Sequence, residues 1–182
     1  IDYESTTSYS LVVVAMDSSD TVSATMTITI TDVNDQTPAV TVASTYSHAE
    51  ATATTFQTYT ITDSDTTGTY TCTLAGDDAA DFSASISGKV CTVVWAAAPN
   101  YDSPADTGVN NIYDITIAFS DGTTDLAAQT TAVTVTDTND QTPAVTVAST
   151  YSQAEATATT FQTYTITDSD TTGTYTCTLG GD

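Results

Sequence analysis

Apolar and polar residues alternate along most of the chain. Between Tyr113 and Phe119, for example, Tyr, Ile, Ile and Phe fall on one side, and Asp114 and Thr116 fall on the other. This period of two predicts strands of antiparallel sheets with one buried and one solvated face. The strands predicted between Asp32 and Thr136 are 39–45, 54–62, 69–74, 81–86, 89–95, 112–119 and 127–136.

A long internal repeat sets the domain organisation. The 46 residues that begin at Asp32 recur 105 residues later, at Asp137, with three differences. That period fits an independently folded sandwich better than a solenoid unit. We therefore predict an all-β chain of tandem seven-stranded Greek-key (Ig-like) β-sandwiches. Residues 1–31 are the C-terminal part of one repeat, 32–136 are a complete repeat, and 137–182 are the N-terminal part of the next.

The composition limits the possible partners. The chain has 23 acidic residues against one basic residue, and its formal net charge is -22. Such a surface repels nucleic acid and anionic lipid, so neither is an expected partner, and it attracts cations. Hydrophobic residues make up 40% of the chain, but no apolar run is long enough for membrane insertion. A solvated surface suited to a salty habitat is an alternative explanation of the charge.

Oxygen-bearing side chains gather at strand ends around both repeat boundaries. Calcium takes six to eight hard oxygen ligands from carboxylates, amides and backbone carbonyls. Crowded carboxylates are unfavourable unless a cation neutralises them. Turn capping explains any single one of these residues, but it explains their joint arrangement poorly. The candidates outside the third piece are Asp2, Glu4, Asp17, Asp32, Asn34, Asp35, Glu50, Asp63, Asp65, Asp102 and Asp121.

The order and spacing of these motifs resemble the cadherin superfamily over essentially the whole chain. The linker D-x-N-D-N-x-P of that family is matched by DVNDQTP at 32–38 and by DTNDQTP at 137–143. The other matching motifs are the Glu at Glu50, the D-x-D at Asp63/Asp65 and Asp168/Asp170, and the D-x-E at Asp2-Tyr3-Glu4. A microbial cadherin-like array of repeats fits the biased composition.

The resemblance implies calcium ions between successive repeats. At the first junction the implied ligands are Asp2, Glu4, Asp32, Asn34, Asp35, Asp63, Asp65 and Asp121. At the second they are Glu50, Asp102, Asp137, Asn139, Asp140, Asp168 and Asp170. Asp17 would serve a junction before Ile1. Because Asn100-Tyr101-Asp102 replaces D-x-E, we expect two to three ions at the first junction and fewer at the second.

Three other residues leave alternatives open. Cys72 and Cys91 lie on two predicted strands of one repeat, and they form either a disulfide or two buried thiols. Cys177 matches Cys72, so its partner would lie beyond Asp182. Trp95 either fills the core or offers a platform for a sugar ring.

The expected function is structural. A calcium-rigidified extracellular filament or adhesin stalk explains the repeats and the charge together. The alternative is an array of carbohydrate-binding or homophilic adhesion modules within a larger secreted protein. Enzyme activity is not expected, because no arrangement of nucleophile, base and acid is evident. The chain is expected to be a mature fragment exposed at the cell surface, with other copies of itself, surface proteins or glycans as partners.

Overall fold

The computed structural model describes residues 1–51, 55–156 and 162–181. Among these residues the regular structure consists of eleven strands and one 3-10 helix, Ala79–Asp81, and no helix is long and apolar enough to cross a membrane. The strands are β1 (Ser8–Met16), β2 (Thr21–Thr29), β3 (Thr45–Ala49), β4 (Thr55–Thr60), β5 (Thr71–Ala75), β6 (Phe82–Ser87), β7 (Val90–Trp95), β8 (Ile112–Ser120), β9 (Gln129–Thr136), β10 (Ala144–Val145) and β11 (Ile166–Thr167).

Seven of these strands form one sandwich. A four-stranded sheet has the order β3-β9-β8-β5, and a three-stranded sheet has the order β4-β7-β6. All pairs are antiparallel except β3 with β9, which run parallel. β3 and β9 come from opposite ends of the repeat. The long connection between them allows parallel pairing, which a hairpin does not. The prediction of an all-β, seven-stranded sandwich is confirmed.

The core lies between the two sheets, on the predicted faces of the strands. Tyr113, Ile115, Ile117 and Phe119 of β8 are all at most 2% exposed. Trp95 of β7 is 3% exposed, and its ring centroid lies 4.1 Å from that of Phe82 and 4.9 Å from that of Tyr113. Trp95 therefore fills the core, and the alternative of a sugar platform is wrong because its face is covered.

The first predicted strand of the repeat is misplaced. We predicted 39–45, but the structure has only an isolated bridge from Ala39 to Thr62, and the strand itself is β3 at Thr45–Ala49. The chain first lies beside the end of β4 and then crosses to pair with β9 in the other sheet. The predicted strand 54–62 is observed as β4, and position 54 lies outside the described residues.

A disulfide links the two sheets. Cys72 of β5 and Cys91 of β7 are bonded, with an S–S distance of 2.05 Å. Cys91 is completely buried, whereas Cys177 is a free and exposed cysteine. The bridge therefore passes from one sheet to the other through the core, next to the side chains that β8 contributes.

The flanking pieces are open. β1 and β2 form a two-stranded hairpin, and Leu11 and Val13 are 47% and 53% exposed. Counted from Asp17, which matches Asp121, these two residues correspond to the buried Ile115 and Ile117 of β8. In the third piece β10 pairs with β11.

Candidate metal centres

The first candidate centre joins three separate segments. Glu4 precedes β1, Asp32 follows β2 in the linker, and Asp65 follows β4. One carboxylate oxygen from each of the three lies within 4.8 Å of the others. The ends of the strands therefore place these three acids close together.

Two of these carboxylates divide their oxygens between two environments. Asp32 Oδ2 accepts hydrogen bonds from the Thr66 amide at 2.6 Å and the Thr67 amide at 3.0 Å. Asp65 Oδ2 accepts one from the Gln36 amide at 2.8 Å. The Oδ1 atoms of both residues are buried without a hydrogen-bond partner. One oxygen of each is thus held by the backbone, and the other is left for a ligand.

Asp121 and Asn34 repeat this arrangement. Asp121 is completely buried, and its Oδ1 accepts hydrogen bonds from the amides of Thr123 at 2.7 Å and Thr124 at 2.6 Å. Asn34 Nδ2 donates to the Asp121 carbonyl at 3.1 Å. Asp121 Oδ2 and Asn34 Oδ1 are buried without partners. The hairpin turn after β8 and the linker are therefore fixed to each other while both keep an unused oxygen.

The electrostatics of the first centre follow from this geometry. The Thr66 hydroxyl and the amides of Thr66 and Thr67 hold the pKa of Asp32 below its usual value, against the effect of partial desolvation. At Glu4 the backbone amide of the same residue lowers the pKa, but desolvation and the nearby Asp2, Asp35 and Asp65 outweigh it. The net effect raises the pKa of Glu4 to about 7. The acidic side chains around Glu4 therefore crowd negative charge into a small region of the protein.

The second centre combines Asp137, Asp140 and Asp170 of the repeated segment with Glu50 and Asp102 of the complete sandwich. Oxygens of Asp102, Asp137 and Asp170 lie within 4.8 Å of one another, and so do those of Glu50, Asp102 and Asp140. Asp137 Oδ2 accepts from the Thr171 and Thr172 amides, and Asp170 Oδ2 accepts from the Gln141 amide at 3.0 Å. The Oδ1 atoms of Asp137 and Asp170 are buried without partners. The division of oxygens seen at Asp32 and Asp65 is therefore reproduced.

Glu50 ties the second linker to the complete sandwich. This side chain is 2% exposed, and it accepts hydrogen bonds from the Thr138 amide at 2.7 Å and the Tyr101 amide at 2.6 Å. Asp102 follows Tyr101, and its Oδ2 is buried without a partner. Desolvation and then the charges of Asp170, Glu50 and other acids raise the pKa of Asp102. Burial and the neighbouring negative charges therefore make the ionised form of Asp102 less favourable than in water.

Eight predicted ligands lie outside these close groups, including Asn34 and Asp121 described above. Asp2 and Asp17 accept hydrogen bonds from amides of their own turns. Asp63 accepts from the Asp65 amide and the Tyr70 hydroxyl, and Asp168 does the same with Asp170 and Tyr175. The linker residues Asp35 and Asn139 are exposed. The assignment of all sixteen residues as ligands stays a prediction.

Sequence reasoning missed a pair of buried acids with a structural task. Asp78 is 3% exposed and accepts from the Thr107 and Asp114 amides, each at 2.7 Å. Asp106 is 2% exposed and accepts from the Asn110 and Asn111 amides. Both fix the long connection between β7 and β8. Their position in loops did not indicate burial, because aspartate is also common in exposed turns.

The donor set fits a hard divalent cation. Buried polar atoms in native proteins are nearly always hydrogen-bonded, and an unpaired buried oxygen is costly. Seven such oxygens belong to predicted ligands of the two junctions: Asp32 Oδ1, Asn34 Oδ1, Asp65 Oδ1, Asp102 Oδ2, Asp121 Oδ2, Asp137 Oδ1 and Asp170 Oδ1. Carboxylate and amide oxygens without nitrogen or sulfur ligands suit calcium, which tolerates irregular geometry better than magnesium does.

The fold is that of cadherin ectodomains. The chain is similar to repeats EC21–23 of human CDH23, at 20% identity and a TM-score of 0.61, over 94% of this chain and 57% of that one. It is also similar to a cis-dimer structure of protocadherin gammaB7 EC3-6, at 21% identity and a TM-score of 0.56, over 93% of this chain and 41% of that one. The human desmocollin-1 ectodomain matches at 18% identity and a TM-score of 0.57, over 79% of this chain and 30% of that one.

The chain thus spans between about a third and three-fifths of the lengths of these solved structures. No protein-family model matches the sequence, and no curated protein sequence matches it. The predicted cadherin-like fold is confirmed by the structural likeness.

Proposed function

We propose that this chain is a section of an extracellular rod of cadherin-like repeats, in which calcium bound at each junction restrains adjacent sandwiches. The observation that carries the proposal is the set of buried, unpaired oxygens that occurs at one junction and recurs at the next. Glu4, Asp32, Asp65, Asp121 and the Asn34 amide would hold an ion at the first junction. The ion would neutralise the crowded carboxylates, and the two adjacent repeats would share its coordination shell.

The division into repeats at residues 32 and 137 belongs to the same proposal. The hairpin β1–β2 exposes apolar residues at positions that β8 buries in the complete sandwich. The segment from Asp137 onward reproduces the hydrogen bonds that surround Asp32. Both observations support reading the flanking pieces as parts of two further repeats.

An extracellular location and a structural task follow from the same features. The disulfide between Cys72 and Cys91 favours an oxidising compartment. A net charge of -22 makes cation binding the natural means of bringing repeats close together. We assign the chain to a filament or adhesin stalk rather than to an enzyme.

Homophilic adhesion is a second candidate. The protocadherin gammaB7 structure described above is a cis-dimer, and its fold is shared by this chain. Other copies of this chain, bound through the exposed sheet faces, are therefore candidate partners. Self-association is tested by the molecular mass in solution, which is measured together with the scattering experiment described below.

Small-angle X-ray scattering with and without calcium tests the rod. In 1 mM calcium we expect a longer maximum dimension and a narrower distribution of shapes than in a chelator. Magnesium at the same concentration is the control for ionic strength and for weak divalent binding. Identical scattering profiles in calcium and chelator, together with no heat of calcium binding by calorimetry, would contradict the proposal.

A further inference from the structure

The only basic side chain of the chain lies beside the first metal centre. Lys89 lies in the β6–β7 turn and is partly buried. Its Nζ donates to the carbonyl oxygen of Asp63 at 2.8 Å and to that of Asp65 at 2.7 Å. The ammonium of the β6–β7 hairpin therefore bonds to the main chain of the β4–β5 connection on both sides of Ser64.

Lys89 belongs to a small network that fixes the D-x-D segment. Its Nζ lies 5.5 Å from the ring centroid of Tyr70, and the Tyr70 hydroxyl donates to Asp63 Oδ2 at 2.9 Å. Asp63 Oδ1 in turn accepts from the Asp65 amide at 3.1 Å. Each bond restrains the backbone that carries the Asp65 carboxylate.

We propose that Lys89 is a positioning residue for the first metal centre. Its ammonium holds residues 63–65 in the conformation that places the Asp65 carboxylate beside those of Glu4 and Asp32 before any ion is bound. This inference rests on the proposed calcium function and names a residue on which that function depends. Carbonyl oxygens bound to an ammonium form strong, charge-assisted hydrogen bonds, so the segment needs little reordering when an ion arrives.

A lysine near a cation site also repels the cation, and the two effects have opposite signs. The repulsion is weakened by solvent and salt at the open side of the junction. The two hydrogen bonds, by contrast, are short and direct. Preorganisation therefore outweighs repulsion, and loss of the ammonium weakens calcium binding.

Calcium titration of Lys89→Met is the first test. Methionine keeps most of the length and apolar contact of the stem but donates no hydrogen bond. We expect the affinity of one class of sites to fall by roughly tenfold, while the class assigned to Asp137 and Asp170 is unchanged. Ser87→Ala, an exposed change in the same hairpin, is the control and leaves both classes alone.

Hydrogen exchange of the calcium-free protein is the second test, and it does not depend on ion binding. In Lys89→Met the amides of residues 63–66 should lose protection while those of β8 and β9 keep theirs. Lys89→Arg, which keeps the cation, should recover part of that protection. Loss of protection throughout the sandwich would show a general structural role and overturn the inference.

The outcomes separate the two proposals. If the unmodified chain binds no calcium, the proposed function fails, and the exchange experiment still decides whether Lys89 fixes the segment. If the unmodified chain binds calcium and Lys89→Met binds it equally well or more tightly, the positioning role is wrong and the calcium function stands.

Discussion

At the scale of single residues, the main feature is that several carboxylates bond one oxygen to the backbone and leave the other buried and unpaired. Asp65 gives one oxygen to the Gln36 amide and leaves the other buried and unpaired. Asp170 does the same with Gln141. The local turn therefore orients the acid, and the unpaired oxygens make the centre unfavourable until a cation is present.

Substitution of Asp65 by asparagine should have opposite effects with and without calcium. Asparagine can still accept the Gln36 amide, but it removes one negative charge from beside Glu4 and Asp32. We expect a higher melting temperature than the unmodified chain in a chelator, and a calcium affinity at the first junction lower by roughly tenfold or more. Differential scanning calorimetry and calcium titration measure the two effects.

The control for this prediction is Asp114→Asn, which removes the same charge from an exposed position of β8. It should shift neither quantity by more than a small amount. If Asp65→Asn lowers the melting temperature equally with and without calcium, Asp65 has a purely structural role.

Asp78 predicts an acid-sensitive sandwich. Burial raises its pKa, but the hydrogen bonds from Thr107 and Asp114 outweigh burial and hold the pKa below its usual value. The stabilisation is therefore complete above the ordinary aspartate pKa of about 4, and it is lost as the pH falls through the lower pKa of the folded state. The free energy of unfolding of the unmodified chain should decrease in that acidic range.

Asp78→Asn should flatten this acid limb and lower stability at neutral pH by roughly 1–3 kcal/mol, because one amide loses its acceptor. Urea unfolding at several pH values, with calcium present, measures both effects. Asp77→Asn, at the exposed neighbouring position, serves as the matched control. A steep acid limb that survives in Asp78→Asn would assign the acid sensitivity to other carboxylates.

At the scale of elements, the disulfide between β5 and β7 joins the two sheets covalently. Replacing both Cys72 and Cys91 by alanine should lower the free energy of unfolding by roughly 2–4 kcal/mol. Urea unfolding in calcium is the measurement. Cys177→Ala, at an exposed free cysteine, should change stability little. Equal stability of the double variant and the unmodified chain would mean that packing alone holds the sheets.

How well elements could be predicted depended on how much of each strand is buried. β8 alternates Tyr, Ile, Ile and Phe with polar residues, and both its face and its limits were predictable. β3 is a short edge strand of mixed burial. The predicted strand was therefore placed on the apolar residues just before it. Parallel pairing of β3 with β9 is a long-range contact that no local pattern encodes.

The candidate centres were predictable only in part for a related reason. Motif spacing predicted that Asp32 and Asp65 lie close together, because strand ends bring them there. It did not show that Asp63 turns both oxygens toward Asp65 and Tyr70. It also placed Lys89 only at the start of the predicted strand 89–95, since its contacts lie on the distant connection between β4 and β5.

At the scale of the whole molecule, calcium should decide whether the junctions resist proteolysis. We expect an endoproteinase specific for acidic residues to cut first around residues 31–35 and 136–140 in a chelator, and much more slowly in calcium. The sandwich between these linkers should resist in both conditions. Mass spectrometry of the fragments over time is the measurement. Cleavage that is equally fast in both conditions, or that begins within β8, would contradict this prediction.

The anchoring of the linkers has a mechanical consequence for a single chain under tension. Asp137 is hydrogen-bonded to the segment downstream of it, and the next residue, Thr138, to Glu50 upstream. These bonds use protein groups alone, so withdrawing the metal leaves the connector short. A tethered molecule stretched at low calcium should then pivot at its joints with an unchanged contour length, and any stepwise gain in length should wait until a sandwich itself ruptures.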